Sequence, residues 1–285
     1  MSRFISPLRY PGGKGKMYRI IKRIIINNQL TNHIYTEPFA GGSAIGLKLL
    51  YDEVVNRIVI NDFDKSIYAF WYSVLYNSEK LVQLIEETPV TLNEWFKQKD
   101  IQKNKSIVED LLILGFSTLF LNRTNRSGVI NGGPIGGKHQ SGNYLIDCRF
   151  NKTDIIRRIH RITLLRDRIE LYNLNATDLL NLLETRNEDY FINMDPPYYV
   201  KGKQLYMNFF THEDHINLRD KIHNSRYPWI ITYDNVTEIS NMYDEFNIIE
   251  YCLTYTAGNV REGKEILIHN NTLEINDNIF IEGTL

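Results

Sequence analysis

Seven short runs of β-branched and aromatic residues recur along the chain, most of them ending on small or acidic residues: Ile34 to Thr36, Arg57 to Asn61, Ile169 to Asn173, Tyr190 to Asn193, Trp229 to Tyr233, Ile248 to Thr254 and Glu265 to His269. Nearly unbroken apolar runs of this length suit parallel strands covered on both faces. Helical patterns fall between them at Ser43 to Leu50, Ser66 to Tyr76 and Asp214 to His223; the last is preceded by Thr211, with Asp214 three residues on, the pairing of a helix cap. This alternation predicts an α/β fold built on a doubly wound, Rossmann-like sheet.

The alternation breaks off over residues 72–165, where helix-rich sequence predicts an inserted, mainly helical subdomain, leaving 1–71 and 166–285 to the sheet. Ser106 to Leu121 reads as a buried helix. Ile155, Ile156, Ile159, Ile162 and Leu165 form an apolar stripe opposite Arg157, Arg158, Arg161, Arg166 and Arg168. Between them lie Gly128, Gly132, Gly133, Gly136, Gly137 and Gly142, six of the chain's 17 glycines, a density that predicts a mobile loop without regular structure.

Charge is segregated. The net charge is −1, yet residues 1–23 carry +7 and residues 97–168 carry +8, which leaves the remainder strongly acidic. Two basic segments on a nearly neutral chain suit contact with phosphates, and equally suit two solvated faces. No run approaches 18 apolar residues and the first ten residues lack the apolar stretch of a signal peptide, so a cytoplasmic protein with no membrane partner is expected. Cys148 and Cys252 have no metal-ligand spacing and are expected to be packing residues. His212 and His215 share a helix face without a visible third ligand, so they read as structural and no metal site is expected.

The sharpest local signal is Asp195-Pro196-Pro197-Tyr198 at the end of a predicted strand. Two prolines fix φ and remove two N–H donors, leaving the Asp195 carboxylate and the Pro196 carbonyl as a stiff pair of acceptors. Such a pair can hold a planar amino group and localise its lone pair for attack, while Tyr198 offers a flat face to an extruded base. A strand-ending turn without function is the plainer alternative. The second signal is Glu37-Pro38-Phe39-Ala40-Gly41-Gly42-Ser43-Ala44, between a strand and a helix, with Asp62 twenty residues after Gly42. Adjacent glycines allow close approach to a ligand, and an acidic residue at that spacing reaches ribose hydroxyls. The three-glycine diphosphate fingerprint is missing, which favours a nucleoside over a dinucleotide. Phe63 packs either on the ligand's adenine or in the core, and Asp178 either accepts an amino group or caps a helix.

Taken together and in order, LRYPGGK (8–14), EPFAGGSA (37–44), INDFD (60–64) and DPPYY (195–199) resemble the motifs of Dam-type adenine-specific DNA methyltransferases, over roughly residues 5–270. The resemblance implies transfer of a methyl group from S-adenosyl-L-methionine to the N6 amino group of adenine in double-stranded DNA, with the adenine flipped out. It places Tyr10 and Lys14 by the cofactor, with Lys14 also near the target base, and Glu37, Phe39, Ala40, Gly41 and Gly42 around the methionine part. Asp62 then meets the ribose, Asp178 the adenine end, and Asp195, Pro196 and Tyr198 form the catalytic corner beside the cofactor. Asn122 and Arg123 resemble the start of a target-recognition region; with Arg9, Lys14, Arg126 and Lys138 they are the expected DNA-binding residues. The Gly-rich stretch departs from the Asn-Gly segment of GATC-specific members, so the target sequence is not implied.

The rival readings are an amino methyltransferase acting on cytosine N4 or on RNA, and a catalytically silent DNA-binding regulator of the same fold. A protein-glutamine methyltransferase would favour Asn at position 195. The expected setting is the nucleoid as a monomer or weak dimer, with a cognate restriction endonuclease as a candidate partner.

Overall fold

The computed structural model describes residues 6–9, 14–200, 210–255, 261–276 and 279–282. The chain divides into two compact units, one drawn from Met1–Pro11 and Phe63–Asp167, the other from Gly12–Asp62 and Arg168–Leu285.

The second unit holds a seven-stranded sheet made of β1 (Ile34–Glu37), β2 (Ile58–Asn61), β3 (Ile169–Tyr172), β4 (Tyr190–Met194), β5 (Trp229–Asp234), β6 (Asn247–Tyr255) and β7 (Arg261–His269). Their order is β3-β2-β1-β4-β5-β7-β6. Each of the seven apolar runs is a strand. β1, β2, β4 and β5 are buried at every position, as strands covered on both faces must be. The pairings from β3 across to β5 are parallel, with Thr36 of β1 in register with Val59 on one side and Ile192 on the other. β7 departs from the parallel expectation, running antiparallel to both β5 and β6. The cause is chain length: only residues 256–260 separate β6 from β7, far fewer than the dozen or so a parallel crossover needs.

Helices α1 (Lys14–Asn27), α2 (Ala44–Tyr51), α8 (Ala176–Glu184), α9 (His212–His223), α10 (Thr237–Met242) and α11 (Ile279–Glu282) belong to the same unit. Leu179 and Leu183 of α8 and Leu218 of α9 pack with Ile192, Trp229 and Ile231 of the sheet in one buried cluster. The predicted cap of α9 is present: the Thr211 side chain accepts from the Asp214 backbone while the Asp214 side chain accepts from the Thr211 backbone.

The first unit contains α3 (Lys65–Tyr76), α4 (Ser78–Glu87), α5 (Leu92–Lys103), α6 (Leu111–Thr124) and α7 (Lys152–Thr163). α6 starts five residues later than the apolar pattern suggested, because Asp110 caps it by accepting from Leu112 and Ile113 backbone N–H groups. Gly115 lets α6 approach α3 closely, since a Cβ there would collide with the Ala69 backbone. α7 buries Ile155, Ile159 and Ile162 as predicted, while Arg166 and Arg168 fall in a separate 3-10 turn. Cys148 and Cys252 are exposed and unbonded, which corrects their reading as packing residues. On β6 the alternation that turns Tyr251 inward turns Cys252 out.

Candidate active site

In the sheet order, β1 lies between β2 and β4, so chain connections diverge on either side of it. That point, at the carboxyl ends of the strands, is where open α/β sheets bind ligands. Glu37 ends β1, Asp62 directly follows β2 and Asp195 directly follows β4, so three of the acidic residues singled out in the sequence stand at the ends of three neighbouring strands.

The β1–α2 loop is set by hydrogen bonds. Gly41 takes φ 48° and Ser43 φ 41°, two left-handed residues in one tight turn, the first tolerated because glycine has no Cβ. The Gly41 N–H donates to Asp62 Oδ2 at 2.9 Å and the Ala40 N–H to the Asn61 carbonyl at 2.9 Å. The buried Asn61 side chain donates to the carbonyls of Pro38 (2.8 Å) and Leu174 (3.0 Å), and its Oδ1 accepts from the Leu174 N–H at 2.9 Å, tying together the loops that leave β1 and β3. Asn61 was not among the predicted site residues; its place inside the INDFD motif was the available signal.

Glu37 is buried and accepts from Ser43 Oγ (2.6 Å), the Gly46 N–H (3.2 Å) and Tyr35 Oη (3.2 Å). Its carboxylate therefore sits at the positive end of α2. The space is tight, for a Cβ on Gly46 would meet Glu37, Ser43 and Tyr35 at 3.2 Å. Burial, followed by the Glu37 charge, raises the Tyr35 hydroxyl well above the ordinary tyrosine range. Phe39 is half-buried, edge-on to Phe210 at 5.6 Å, while Ala40, Gly41 and Gly42 are buried. Phe63 is 59% exposed, which argues against the core alternative for it. Asp178 is exposed in the first turn of α8; Asn175 caps that helix, so capping is not the function of Asp178.

At the end of β4, Thr232 Oγ1 donates to Asp195 Oδ1 at 3.0 Å. Asp234, buried at the end of β5, accepts two consecutive backbone N–H groups, from Tyr199 (2.9 Å) and Val200 (3.1 Å), and so fixes the chain just after the two prolines. Pro196 is buried, and Asp195 and Tyr198 are half-buried. Burial of the Tyr198 hydroxyl, reinforced by Asp195, Tyr251 and Glu265, raises it well above the ordinary tyrosine value. Tyr199 takes a packing role: its hydroxyl meets His212 Nδ1 at 3.0 Å and its ring lies 5.3 Å from that of His215. His215 is buried, contacts Tyr233 Oη at 2.9 Å, and is depressed by burial to about 4. Among the described residues no group of three or more His, Cys, Asp or Glu that could hold a metal ion occurs.

In the first unit, the side chains expected on DNA separate into two sets. Asn122 is buried, accepts from the Arg9 N–H (2.7 Å) and donates to the carbonyls of Arg9 (2.8 Å) and Gly128 (2.9 Å). Arg123 is also buried and donates to the Pro7 carbonyl from Nε (2.6 Å) and Nη2; burial, with Arg158 and Arg9 nearby, lowers it to about 10. Arg158 adds a bond to the Ser6 carbonyl at 2.9 Å. Residues 6–9 have no strand partner, so these side chains satisfy their backbone instead. Arg9 is half-buried and reaches the Asn125 carbonyl at 3.4 Å, whereas Arg126 and Lys138 are exposed. Tyr10 lies outside the described residues, as does the Lys14 side chain.

The Gly-rich stretch has little regular structure: a 3-10 turn at Arg126–Gly128 and a bridge between Asn125 and Pro134. It is nevertheless well tied. Asn125 accepts from Trp95 Nε1 (2.6 Å) and donates to the carbonyls of Val129 (2.9 Å) and Ile130 (2.8 Å). Gln140 donates to the carbonyls of Ile135 (2.8 Å) and Gly137 (2.7 Å) and accepts from the Ile146 N–H (2.8 Å).

Among the described residues no helix is long and apolar enough to cross a membrane. A family model described as D12 class N6 adenine-specific DNA methyltransferase matches residues 10–257. No curated protein sequence matches. A solved structure of an uncharacterized protein from Listeria monocytogenes serotype 4b is similar at a TM-score of 0.36 and 6% identity, over 92% of this chain and 74% of that one.

Proposed function

Since the chain belongs to the D12 class of N6 adenine-specific DNA methyltransferases, we propose that its reaction centre is the corner Asp195-Pro196-Pro197-Tyr198, facing a cofactor loop formed by residues 37–42. The observation that carries this reading is the placement of Glu37 and Asp195 at the carboxyl ends of the neighbouring strands β1 and β4.

S-adenosyl-L-methionine fits the residues present. Carboxylates at the ends of β1 and β2 and in the first turn of α8 supply acceptors for ammonium, ribose hydroxyl and adenine amino groups, and the glycine turn allows close approach of backbone. In this reading Glu37, Phe39, Ala40, Gly41, Gly42, Asp62, Phe63 and Asp178 hold the cofactor, with Tyr10 and Lys14 beside them. When bound, the cofactor supplies an electrophilic methyl group. The protein's part is to place the nucleophile. Asp195 and the Pro196 carbonyl accept the two N–H bonds of the adenine amino group, which localises the nitrogen lone pair, and Tyr198 stacks against the extruded base. The proton released from nitrogen passes to Asp195 or to water.

Residues 72–165 serve target recognition, with the exposed Arg126 and Lys138 meeting DNA while Asn122 and Arg123 act indirectly by holding residues 6–9. A cytoplasmic, nucleoid-associated monomer or weak dimer, with a restriction endonuclease as companion, completes the proposal.

The test is to incubate the protein with unmethylated plasmid DNA and methyl-labelled S-adenosyl-L-methionine and to digest the product to nucleosides. Label in N6-methyl-2′-deoxyadenosine is expected; label in a methylated 2′-deoxycytidine would overturn the assignment of the corner to adenine.

A further inference from the structure

The parallel pairing of β4 with β5 ends at Met194 and Ile231, yet β5 continues for three more residues to Asp234. β4 cannot follow it, because Pro196 and Pro197 have no N–H to give to a ladder. Side chains from the overhanging end of β5 hold the departing chain instead. Thr232 Oγ1 donates to Asp195 Oδ1 at 3.0 Å. Asp234, two residues on and on the same face, accepts the Tyr199 N–H on Oδ1 at 2.9 Å and the Val200 N–H on Oδ2 at 3.1 Å. The catalytic corner is therefore bound to one strand at both of its ends.

Two observations tie the Asp234 grip to the path of the backbone and not to packing. Val200 is 57% exposed, so water could satisfy its N–H without a buried carboxylate. Asp234 is itself buried, where an acid costs stability that an apolar residue would not, and Ile230 on the same face of β5 is fully buried. What the grip controls follows from the torsions left open. The prolines fix φ at 196 and 197, and Thr232 holds the Asp195 carboxylate, but neither restrains ψ of Pro197 or the two backbone torsions of Tyr198. Binding the next two N–H groups closes them. Tyr199 is held further by its hydroxyl, 3.0 Å from His212 Nδ1, so Tyr198 lies between fixed neighbours.

We infer that Asp234 is a positioning residue for methyl transfer: by gripping the backbone that follows Tyr198, it sets the angle at which the Tyr198 ring meets the target base. The inference rests on the assignment of Asp195 and Tyr198 above.

The experiment compares kcat on unmethylated plasmid DNA and cofactor Kd in wild type, Asp195→Ala, Asp234→Asn, Asp234→Ala, Tyr198→Ala and the Tyr198→Ala/Asp234→Asn double variant, with single-turnover rates at excess enzyme for the slow ones. Asp234→Asn keeps one oxygen acceptor and loses the other, so it should lower kcat by about fivefold with cofactor Kd within about twofold, and Asp234→Ala should lower kcat by about twentyfold or more. In the Tyr198→Ala background the Asp234→Asn loss should shrink to less than about twofold, because the ring that the grip orients has gone. A residue that served stability alone would weaken cofactor binding along with turnover and would cost the same in both backgrounds. Wild-type kcat in Asp234→Asn, or an undiminished loss in the Tyr198→Ala background, would overturn the inference; both readings use the nearly isosteric Asn variant, so they stand even if Asp234→Ala does not fold. Turnover by Asp195→Ala would instead overturn the reaction-centre assignment beneath it.

Discussion

Thr232 Oγ1 stands 3.0 Å from Asp195 Oδ1, so a hydroxyl on β5 fixes the carboxylate that follows β4. An acceptor that must meet one N–H bond of a planar amino group gains from having its torsion fixed in advance. Replacing Thr232 with Val keeps the volume and removes the donor. We expect kcat to fall by about tenfold with cofactor affinity unchanged, measured by steady-state turnover and by titration calorimetry with S-adenosyl-L-methionine. An unchanged kcat would show that Asp195 is oriented without this bond.

Glu37 receives three donors in a buried setting, so removing its carboxylate strands a hydroxyl, a backbone N–H and a phenol. Each stranded donor costs about 1–3 kcal/mol. Glu37→Ala is therefore expected to lower the melting temperature by about 5 °C or more in a chain of this size, and Glu37→Gln by less. Calorimetry in the absence of cofactor checks this, and equal melting of wild type and Glu37→Ala would contradict the capping geometry.

His215 titrates at about 4 in the folded chain against an ordinary 6.5, because it is buried beneath Tyr199 and Tyr233; Asp214 and Asp234 oppose this shift and His212 adds to it. The unfolded chain thus binds a proton between these values that the folded chain does not. The stability due to neutral His215 is fully present above about pH 6.5 and is lost progressively as pH falls toward 4. Melting temperatures at pH 7.5 and pH 5 should differ more for wild type than for His215→Phe. The same difference in both proteins would exclude His215 as the source.

The sheet was legible because each strand is an apolar run closed by a chemically distinct residue, and the DPPYY and EPFAGGSA corners were legible because their residue types have few other uses. The residues that hold those corners were not. Thr232 and Asp234 lie inside and at the end of β5, where their spacing resembles any other strand, and only the folded sheet brings them beside the chain that leaves β4. Asn122 and Arg123 are the opposite case: their types suit DNA, while in the fold their side chains bond the backbone of residues 6–9. No one-dimensional pattern announces that demand.

The Gly-rich loop also differs from its sequence expectation. Its glycine density predicted a mobile loop, whereas Asn125 and Gln140 tie it to α5, to α6 and to itself. Limited proteolysis of wild type should give the same pattern with and without a duplex, and Gln140→Ala should open new cleavage sites between residues 135 and 146 in the free protein. Cleavage of the free wild-type loop that DNA suppresses would restore the original expectation.

The most direct test of the central claim is methyl transfer by Asp195→Ala, read beside its affinity for S-adenosyl-L-methionine. A carboxylate that acts mainly in the transition state should, when removed, cost roughly a thousandfold or more in turnover while cofactor binding stays within about tenfold. Substantial turnover by this variant, with N6-methyladenine still formed in the DNA, would contradict the account.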